Sequence, residues 1–295
     1  MIPKKRKRVA IFGATGMLGS AVCSILKDRY DLVLIVRKKS KATLLDSLHI
    51  RNPKIIELNA LQIYDDYYHC DGFPGKYLQS KIREIGDVDY IINAVGLLIE
   101  SSRNDPSQAF FINSALPHIL AGIYESKMIH ITTDCAFNGR DGFPYAENSQ
   151  KSPVDIYGLS KSLGEPTNCF TLRTSLIGKE LERSAGILEW FLRQQGKTIE
   201  GYAHHYWNGI TTTMFGKICD KIMSKPTQYP NSGIFHVFSN VVSKYDMLIK
   251  FRDKYQIDCT IVQNKQRNVN RTLTTIYNLN SLLQIPSFDT MIREL

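Results

Sequence analysis

Residues 9–19 read VAIFGATGMLG. Four apolar residues run into glycines spaced three apart, Gly13, Gly16 and Gly19. Residues 17–28 then set Leu18, Val22, Ile25 and Leu26 on one helical face. A short apolar run closed by glycine has the pattern of a buried parallel strand. Strand, glycine turn and helix, in that order, are what a dinucleotide pocket requires. Glycine permits the tight turn and the close approach of backbone to a pyrophosphate, whose charge then sits at the helix N-terminus. The stretch predicts that Gly13, Thr15, Gly16, Met17, Leu18 and Gly19 bind a dinucleotide. An ordinary glycine-rich turn is the plain alternative, and the strand and helix flanking it count against that.

Working outward, DLVLIV (31–36), KIIEL (54–58), DYIINAVG (89–96), MIHITT (128–133) and FTLRTSLIG (170–178) read as further strands. Helical segments separate them, among them one around 106–126 and one beginning near Pro153. Strands alternating with helices predict an α/β fold, a Rossmann-type doubly wound parallel sheet covered on both faces. Such sheets place ligands at the carboxyl ends of their strands, where the motifs below also fall. Beyond residue 178 the alternation weakens. GILEWFLRQQGK (186–197) reads as helix, GIFHVFS (233–239) as strand, and SKYDMLIKFRDKY (243–255) as an amphipathic helix with Tyr245, Leu248, Ile249 and Phe251 on its apolar side. The expected organisation is a nucleotide-binding domain over 1–178, with a return segment near 213–242. A smaller C-terminal substrate lobe would comprise 179–212 and 243–295.

The 295 residues are 43% apolar and 22% charged, a balance that suits a globular protein with its own core. Five of the nine excess positive charges sit in one block, Lys4-Lys5-Arg6-Lys7-Arg8. Such a block is a nuclear address or nucleic-acid patch in form. No interleaving of aromatic and basic residues supports a nucleic-acid partner elsewhere. A mildly basic body suits an anionic small ligand. The six cysteines form no C-x-x-C pair, no secretory leader pattern is present and no apolar stretch reaches the length of a membrane span. The expectation is a cytoplasmic protein with reduced thiols and no membrane partner.

Two further motifs carry chemistry. The second strand ends Val36-Arg37-Lys38-Lys39, without the acid that usually meets a free ribose 2′-hydroxyl, and an arginine there suits a 2′-phosphate. Arg37, then Lys38, are the expected contacts, and NADP(H) the expected cofactor; a solvated cationic loop is the alternative. Tyr157-Gly-Leu-Ser-Lys161 puts a phenol and an amine on one helical face. A lysine cation beside the phenol favours its charged form, which lowers the tyrosine pKa toward neutrality.

Gly13-x-x-Gly16-x-x-Gly19, NAVG (93–96), TTDCAFNG (132–139), YAE (145–147), YGLSKSLGE (157–165) and LRTS (172–175) together resemble the extended short-chain dehydrogenase/reductases. Within them the resemblance is to the dTDP-4-dehydrorhamnose reductase group of sugar-nucleotide reductases. It is strongest over 8–178 and looser at NGITT (208–212), SKYDML (243–248) and NRTL (270–273). The resemblance implies an NADP-dependent oxidoreductase that reduces a nucleotide-linked 4-keto-deoxysugar with Thr133, Tyr157 and Lys161. Tyr157 would protonate the carbonyl oxygen, Lys161 would hold the nicotinamide ribose and tune Tyr157, and Thr133 would hydrogen-bond the same oxygen. Asn113 would lie near the nicotinamide, with Ala94, Val95 and Gly96 lining the cofactor. Thr133, Asp134, Cys135, Thr174, Ser175 and Trp207 would face the substrate. A homodimer would be in keeping with the family.

Two departures stand out. Related 4,6-dehydratases carry Asp-Glu after the threonine, whereas this chain has Asp134-Cys135, which argues against dehydration. The reductases often have a tryptophan after RTS, where this chain has Leu176, so Trp207 or Trp190 would have to rebuild the sugar contacts. The methionine adenosyltransferase beta subunit resembles the same family, which makes a non-catalytic NADP-binding subunit the alternative, alongside a nucleotide-sugar epimerase. His204-His205 lacks a neighbouring third ligand, so no metal site is expected. Cys135 reads as a small buried thiol or a redox switch. Tyr202, Tyr206 and Trp207 either stack on a nucleobase or pack the lobe.

Overall fold

The computed structural model describes residues 5–69, 75–182 and 186–295, the side chains of 67–69 excepted; Lys4 of the basic block and Cys70 lie outside them. Seven strands form one parallel sheet: β1 (Arg8–Phe12), β2 (Asp31–Val36), β3 (Lys54–Glu57), β4 (Tyr90–Asn93), β5 (Met128–Thr133), β6 (Phe170–Thr174) and β7 (Gly233–His236). Their order is β7-β6-β5-β4-β1-β2-β3, and every pairing is parallel. The chain winds outward from β1 to β3, then returns to the other side of β1 for β4. That reversal opens a crevice at the carboxyl ends of β1 and β4, where doubly wound sheets bind ligands.

Alternation along the strands supplies two cores. Val9 and Ile11 of β1 and Leu34 of β2 face helices α1 (Met17–Leu26) and, from the last third of the chain, Thr212–Ser224, through Val22, Leu26, Phe215 and Ile218. Ala10, Phe12 and Ile35 face the other side, against Leu116, Leu120 and Ala121 of α2 (Leu116–Tyr124). Strands buried on both faces leave nearly uniform apolar runs, which is why β1 and β2 are conspicuous in the sequence.

A third core, with Ile177, Phe191, Trp207, Met247, Phe251 and Phe288, fills a smaller C-terminal lobe. There the strand His205–Trp207 pairs antiparallel with Val242–Ser243 and parallel with Val269–Asn270. This small sheet brings 205–207, 242–244 and 269–271 together.

Three segments differ from expectation. The run 170–178 is two strands, broken at Ser175. The Ser175 carbonyl accepts from Ile210 N–H, and Gly209 crosses so closely that a Cβ there would lie 2.1 Å from the Ser175 oxygen. Leu176–Ile177 therefore leaves the main sheet and pairs with Ile210–Thr211. The helix expected over 106–126 is interrupted by a π-turn at Phe111–Ala115. Pro117 cannot donate to the carbonyl four residues back, that of Asn113, so the turn widens there. The helix expected from Pro153 starts at Ile156 and is α3 (Ile156–Leu163), its first turn closed by the Asp155 carboxylate accepting from Gly158 N–H at 2.7 Å.

Candidate active site

The glycine turn lies at the switch point. Gly13 has φ +77°, a region that favours glycine, and a Cβ there would meet Ala94 backbone and the Val95 side chain at 3.2 Å. A Cβ on Gly19 would sit 2.1 Å from the Gly13 carbonyl oxygen, so only glycine lets α1 approach the turn this closely. The N-terminus of α1 has no capping side chain and no acid in its first turn. Its free N–H groups and dipole suit an anion. Gly16 is exposed, Thr15 and Met17 are half-buried, and Leu18 is anchored in the core. At the end of β2, Arg37 and Lys38 are exposed, and the nearby Glu57 carboxylate accepts from Lys39 N–H at 2.8 Å. The residues present fit a dinucleotide.

The loop after β4 is fixed by buried polar groups. Asn93 Oδ1 accepts from Val95 N–H at 3.2 Å, and Asn93 Nδ2 donates to Nδ1 of His130 at 3.2 Å. His130 Nε2 faces the Gly164 carbonyl at 3.0 Å and so carries the ring proton. Burial, with the Lys161 cation nearby, holds this imidazole neutral, far below the usual histidine range. Asn113 is fully buried in the π-turn. Its Oδ1 accepts from Leu97 N–H at 2.8 Å, and its Nδ2 reaches the Leu97 carbonyl and Ser160 Oγ, both at 3.1 Å. Asn113 thus fastens the β4 loop to α3, with its Oδ1 also near Gly96.

The Asp134–Ala136 turn follows β5, and α3 packs so tightly on it that a Cβ on Gly158 would lie 2.3 Å from the Cys135 carbonyl oxygen. This contact places Tyr157 beside the turn, where its phenol feels Cys135, Thr133 and Asp134. Thr133 Oγ1 also accepts from Cys135 N–H at 3.2 Å and lies 3.2 Å from Asp134 Oδ1. One turn on, Lys161 Nζ donates to the Ile131 carbonyl at 2.8 Å, close to Gly96. The expected lowering of the Tyr157 pKa by Lys161 is not found: burial, reinforced by Cys135, pushes it well up. The Lys161 amine is turned to Ile131, and burial brings its own pKa down to about 8, with Glu165 opposing.

Sequence reasoning missed what lies behind this pair. Glu165 accepts from Arg173 Nε at 2.9 Å and Nη2 at 2.7 Å, with Thr132 Oγ1 at 3.1 Å and Lys151 Nζ at 2.6 Å. Arg173 Nη1 contacts His236 Nε2 at 2.6 Å, and His236 Nδ1 donates to the Thr274 carbonyl at 2.7 Å. Glu147 accepts from His236 N–H at 2.8 Å and Ile276 N–H at 3.0 Å. The motifs YAE, YGLSKSLGE and LRTS are thereby tied into one buried network.

On the lobe side, Lys244 Nζ stands 5.5 Å from the Trp207 ring centroid and Arg267 the same distance from that of Tyr202. Arg271 Nε donates to the Phe137 carbonyl at 3.0 Å. Among the described residues, none of these three cations is in an ion pair. Burial, together with Lys244, Arg267 and Arg271, holds the His205 pKa at about 4. Burial raises that of Asp134, with Arg271 and Lys244 opposing. Trp207 is 3% exposed and packs edge-on against Phe288, inside the lobe core, whereas Trp190 is 38% exposed on the helix Ile187–Leu192. Thr174 is buried and Ser175 half-buried at the break beside β6.

A glycine turn at the switch point of a Rossmann sheet, with a Thr–Tyr pair and a lysine at the next strand end, defines the architecture of the extended short-chain dehydrogenase/reductases. The family model described as RmlD substrate binding domain matches residues 7–273, and the chain belongs to that family. The resemblance to dTDP-4-dehydrorhamnose reductases is borne out at family level. The chain is 28% identical over 160 residues to a probable low-salt glycan biosynthesis reductase of Haloferax volcanii, a match covering 52% of this chain and 46% of that protein. The chain spans about half the length, or less, of the curated relatives it matches. In fold it is similar to the dTDP-4-dehydrorhamnose reductase of Bacillus anthracis in complex with NADP, with TM-score 0.74, 19% identity and 98% of each chain covered. It is also similar to the enzyme WbmG of Bordetella bronchiseptica in complex with NAD, with TM-score 0.72, 14% identity, and 99% of this chain and 94% of that one covered.

Proposed function

We propose that this chain is an NADPH-dependent reductase of a nucleotide-linked 4-keto-deoxysugar. The observation that carries the reading is the packing of α3 on the turn after β5, through Gly158 against Cys135, which sets Tyr157 beside that turn, with Lys161 on the same helix turned toward Gly96 at the cofactor crevice. NADPH, when bound, supplies the hydride. Thr133 and Tyr157 hold the substrate carbonyl oxygen, and Tyr157 gives it a proton. Burial keeps that phenol protonated near neutral pH, as a donor must be. Lys161, Asn113, Ala94, Val95 and Gly96 border the nicotinamide end, and the α1 N-terminus takes the pyrophosphate. Arg37 and Lys38 favour a 2′-phosphate, with Glu57 engaged by backbone instead of a ribose. Arg267 and Arg271 form a cationic wall for the diphosphate of the substrate.

The test is NADPH oxidation with dTDP-, UDP- and GDP-linked 4-keto-6-deoxysugars. Turnover with one of them is expected. Tight NADPH binding with no turnover on any sugar would instead support a non-catalytic subunit. Binding of NADH in clear preference to NADPH would remove the roles given to Arg37 and Lys38.

A further inference from the structure

His130 stands fully buried in the middle of β5, where a polar ring is costly unless its nitrogens are bonded. Both are. Nε2 lies 3.0 Å from the Gly164 carbonyl and Nδ1 lies 3.2 Å from Nδ2 of Asn93. A carbonyl only accepts, so the ring proton is on Nε2, and the bare Nδ1 takes its bond from the Asn93 amide. That turns Asn93 Oδ1 toward Val95 N–H, at 3.2 Å. The result is a chain in which every donor points the same way, from Val95 through Asn93 and His130 to Gly164. Gly164 caps α3, its N–H bonded to the Ser160 and Lys161 carbonyls, both at 3.2 Å. Three successive residues of β5 in fact bond the last turn of this helix. His130 donates to the Gly164 carbonyl, the Ile131 carbonyl accepts from Lys161 Nζ at 2.8 Å, and Thr132 Oγ1 donates to the Lys161 carbonyl at 3.3 Å.

We infer that His130 is a positioning residue for the cofactor: through this one-way chain it holds the loop at 94–96 and the Lys161 turn of α3 in fixed relation, and so sets how tightly the nicotinamide end is gripped. The inference rests on the proposed NADPH site, which those two segments border. Direction is what the imidazole contributes. A second proton on the ring would set a donor at Nδ1 against the Asn93 amide donor. A proton moved from Nε2 to Nδ1 would do the same and would leave the Gly164 carbonyl without its bond. The surroundings oppose a second proton: burial first, then the Lys161 cation of α3, with His118 of α2 adding to it. Leucine at this position would fill similar space but leave the buried Asn93 amide and the Gly164 carbonyl unpaired. Glutamine carries an acceptor and a donor on one group and so can serve both.

The test measures NADPH affinity by fluorescence titration for wild type, His130→Leu and His130→Gln, with the denaturant midpoint of each in parallel. His130→Leu should weaken NADPH binding by ~10-fold, the scale of one buried hydrogen bond left unmade, and His130→Gln should recover most of that loss. A lowered midpoint with NADPH affinity unchanged would show a purely structural role and overturn the inference. Asn93→Asp reads the direction of the chain without touching the ring. Its carboxylate faces the bare Nδ1, and only a proton taken up between them restores that bond. NADPH affinity relative to wild type should therefore rise as pH falls from about 8 to about 6, and a ratio flat with pH would overturn the one-way chain. If His130→Leu does not fold, nitrogen-15 NMR of the wild-type ring decides. It should show a neutral imidazole with its proton on Nε2 between about pH 6 and about pH 8; a proton on Nδ1, or a ring that titrates in that range, would overturn the inference. Wild type that binds no NADPH would remove the proposed cofactor site and the inference together.

Discussion

Arg173→Met removes the centre of the buried network behind the site at nearly constant side-chain length. In the native protein both oxygens of the Glu165 carboxylate are bonded by Arg173, and the pair is 1% exposed on each side. After the substitution Glu165 keeps only Lys151, whose side chain is 37% exposed, and the Thr132 hydroxyl, and His236 Nε2 loses its donor. Breaking a buried pair by removing one partner costs ~3–5 kcal/mol, and the surviving lysine places this case near the lower end, at about 3 kcal/mol. With a urea slope of ~3 kcal/mol per molar for a chain of this size, the midpoint should fall by about 1 M. Adding Glu165→Gln should recover part of the loss, because the orphaned charge is gone. The difference is pH-dependent with a defined sign. Hydrogen bonding and charge from Arg173, with help from Lys151, outweigh burial and lower the Glu165 pKa in the folded state. The stabilisation is therefore complete above the unfolded carboxylate value and fades as pH falls through the folded one. Wild type and Arg173→Met should differ most at neutral pH and converge in acid. A cost below ~1 kcal/mol, the level of an exposed pair, or no recovery on adding Glu165→Gln, would refute the reasoning.

Two further outcomes follow from the same geometry. Gly19→Ala drives a methyl into the Gly13 carbonyl and the Ala14 backbone, so it should cost ~1–3 kcal/mol by overpacking and weaken NADPH binding in a fluorescence titration. Lys161→Met should stabilise the protein while abolishing turnover. The folded-state amine titrates at about 8 against ~10.4 unfolded, so below pH 8 its buried charge opposes folding by up to ~3 kcal/mol. The lost hydrogen bond to Ile131 takes back ~1 kcal/mol. The gain should be full below pH 8 and vanish above about 10.4, read as midpoint shifts in denaturant at several pH values.

The parts of this molecule legible in its sequence are those fixed by local geometry. Gly13 and Gly19 declare the switch-point turn because only glycine meets its steric demands, and Tyr157 and Lys161 share a face through helical period alone. The break at Ser175 is invisible in FTLRTSLIG, since an apolar run does not say which sheet each half joins. The π-turn at Asn113 follows from Pro117, but the close approach of Gly164, where a Cβ would lie 1.8 Å from the Asn113 carbonyl oxygen, joins residues distant in sequence. Glu165 and Arg173 stand in motifs quoted for their likeness to a family, yet their pairing needs α3 and β6 side by side. Lys244, Arg267 and Arg271 are scattered cations until the small lobe sheet gathers them against Asp134 and Tyr202. The Tyr157 pKa went the other way from the expectation because helical spacing gives proximity to Lys161 but not depth, and burial outweighs the neighbouring charge. The basic block is also smaller than it reads: Arg8 opens β1, and the Lys7 amine donates to the Met223 carbonyl at 2.7 Å.

The most direct measurement is the turnover of Tyr157→Phe with NADPH and the best 4-keto-6-deoxysugar nucleotide of the panel. Removing one hydroxyl leaves the switch-point turn and the bond from Lys161 to Ile131 untouched, so NADPH should bind as in wild type. Without its proton donor, kcat should fall by ~10²–10⁴-fold. Unchanged turnover in Tyr157→Phe would contradict the account.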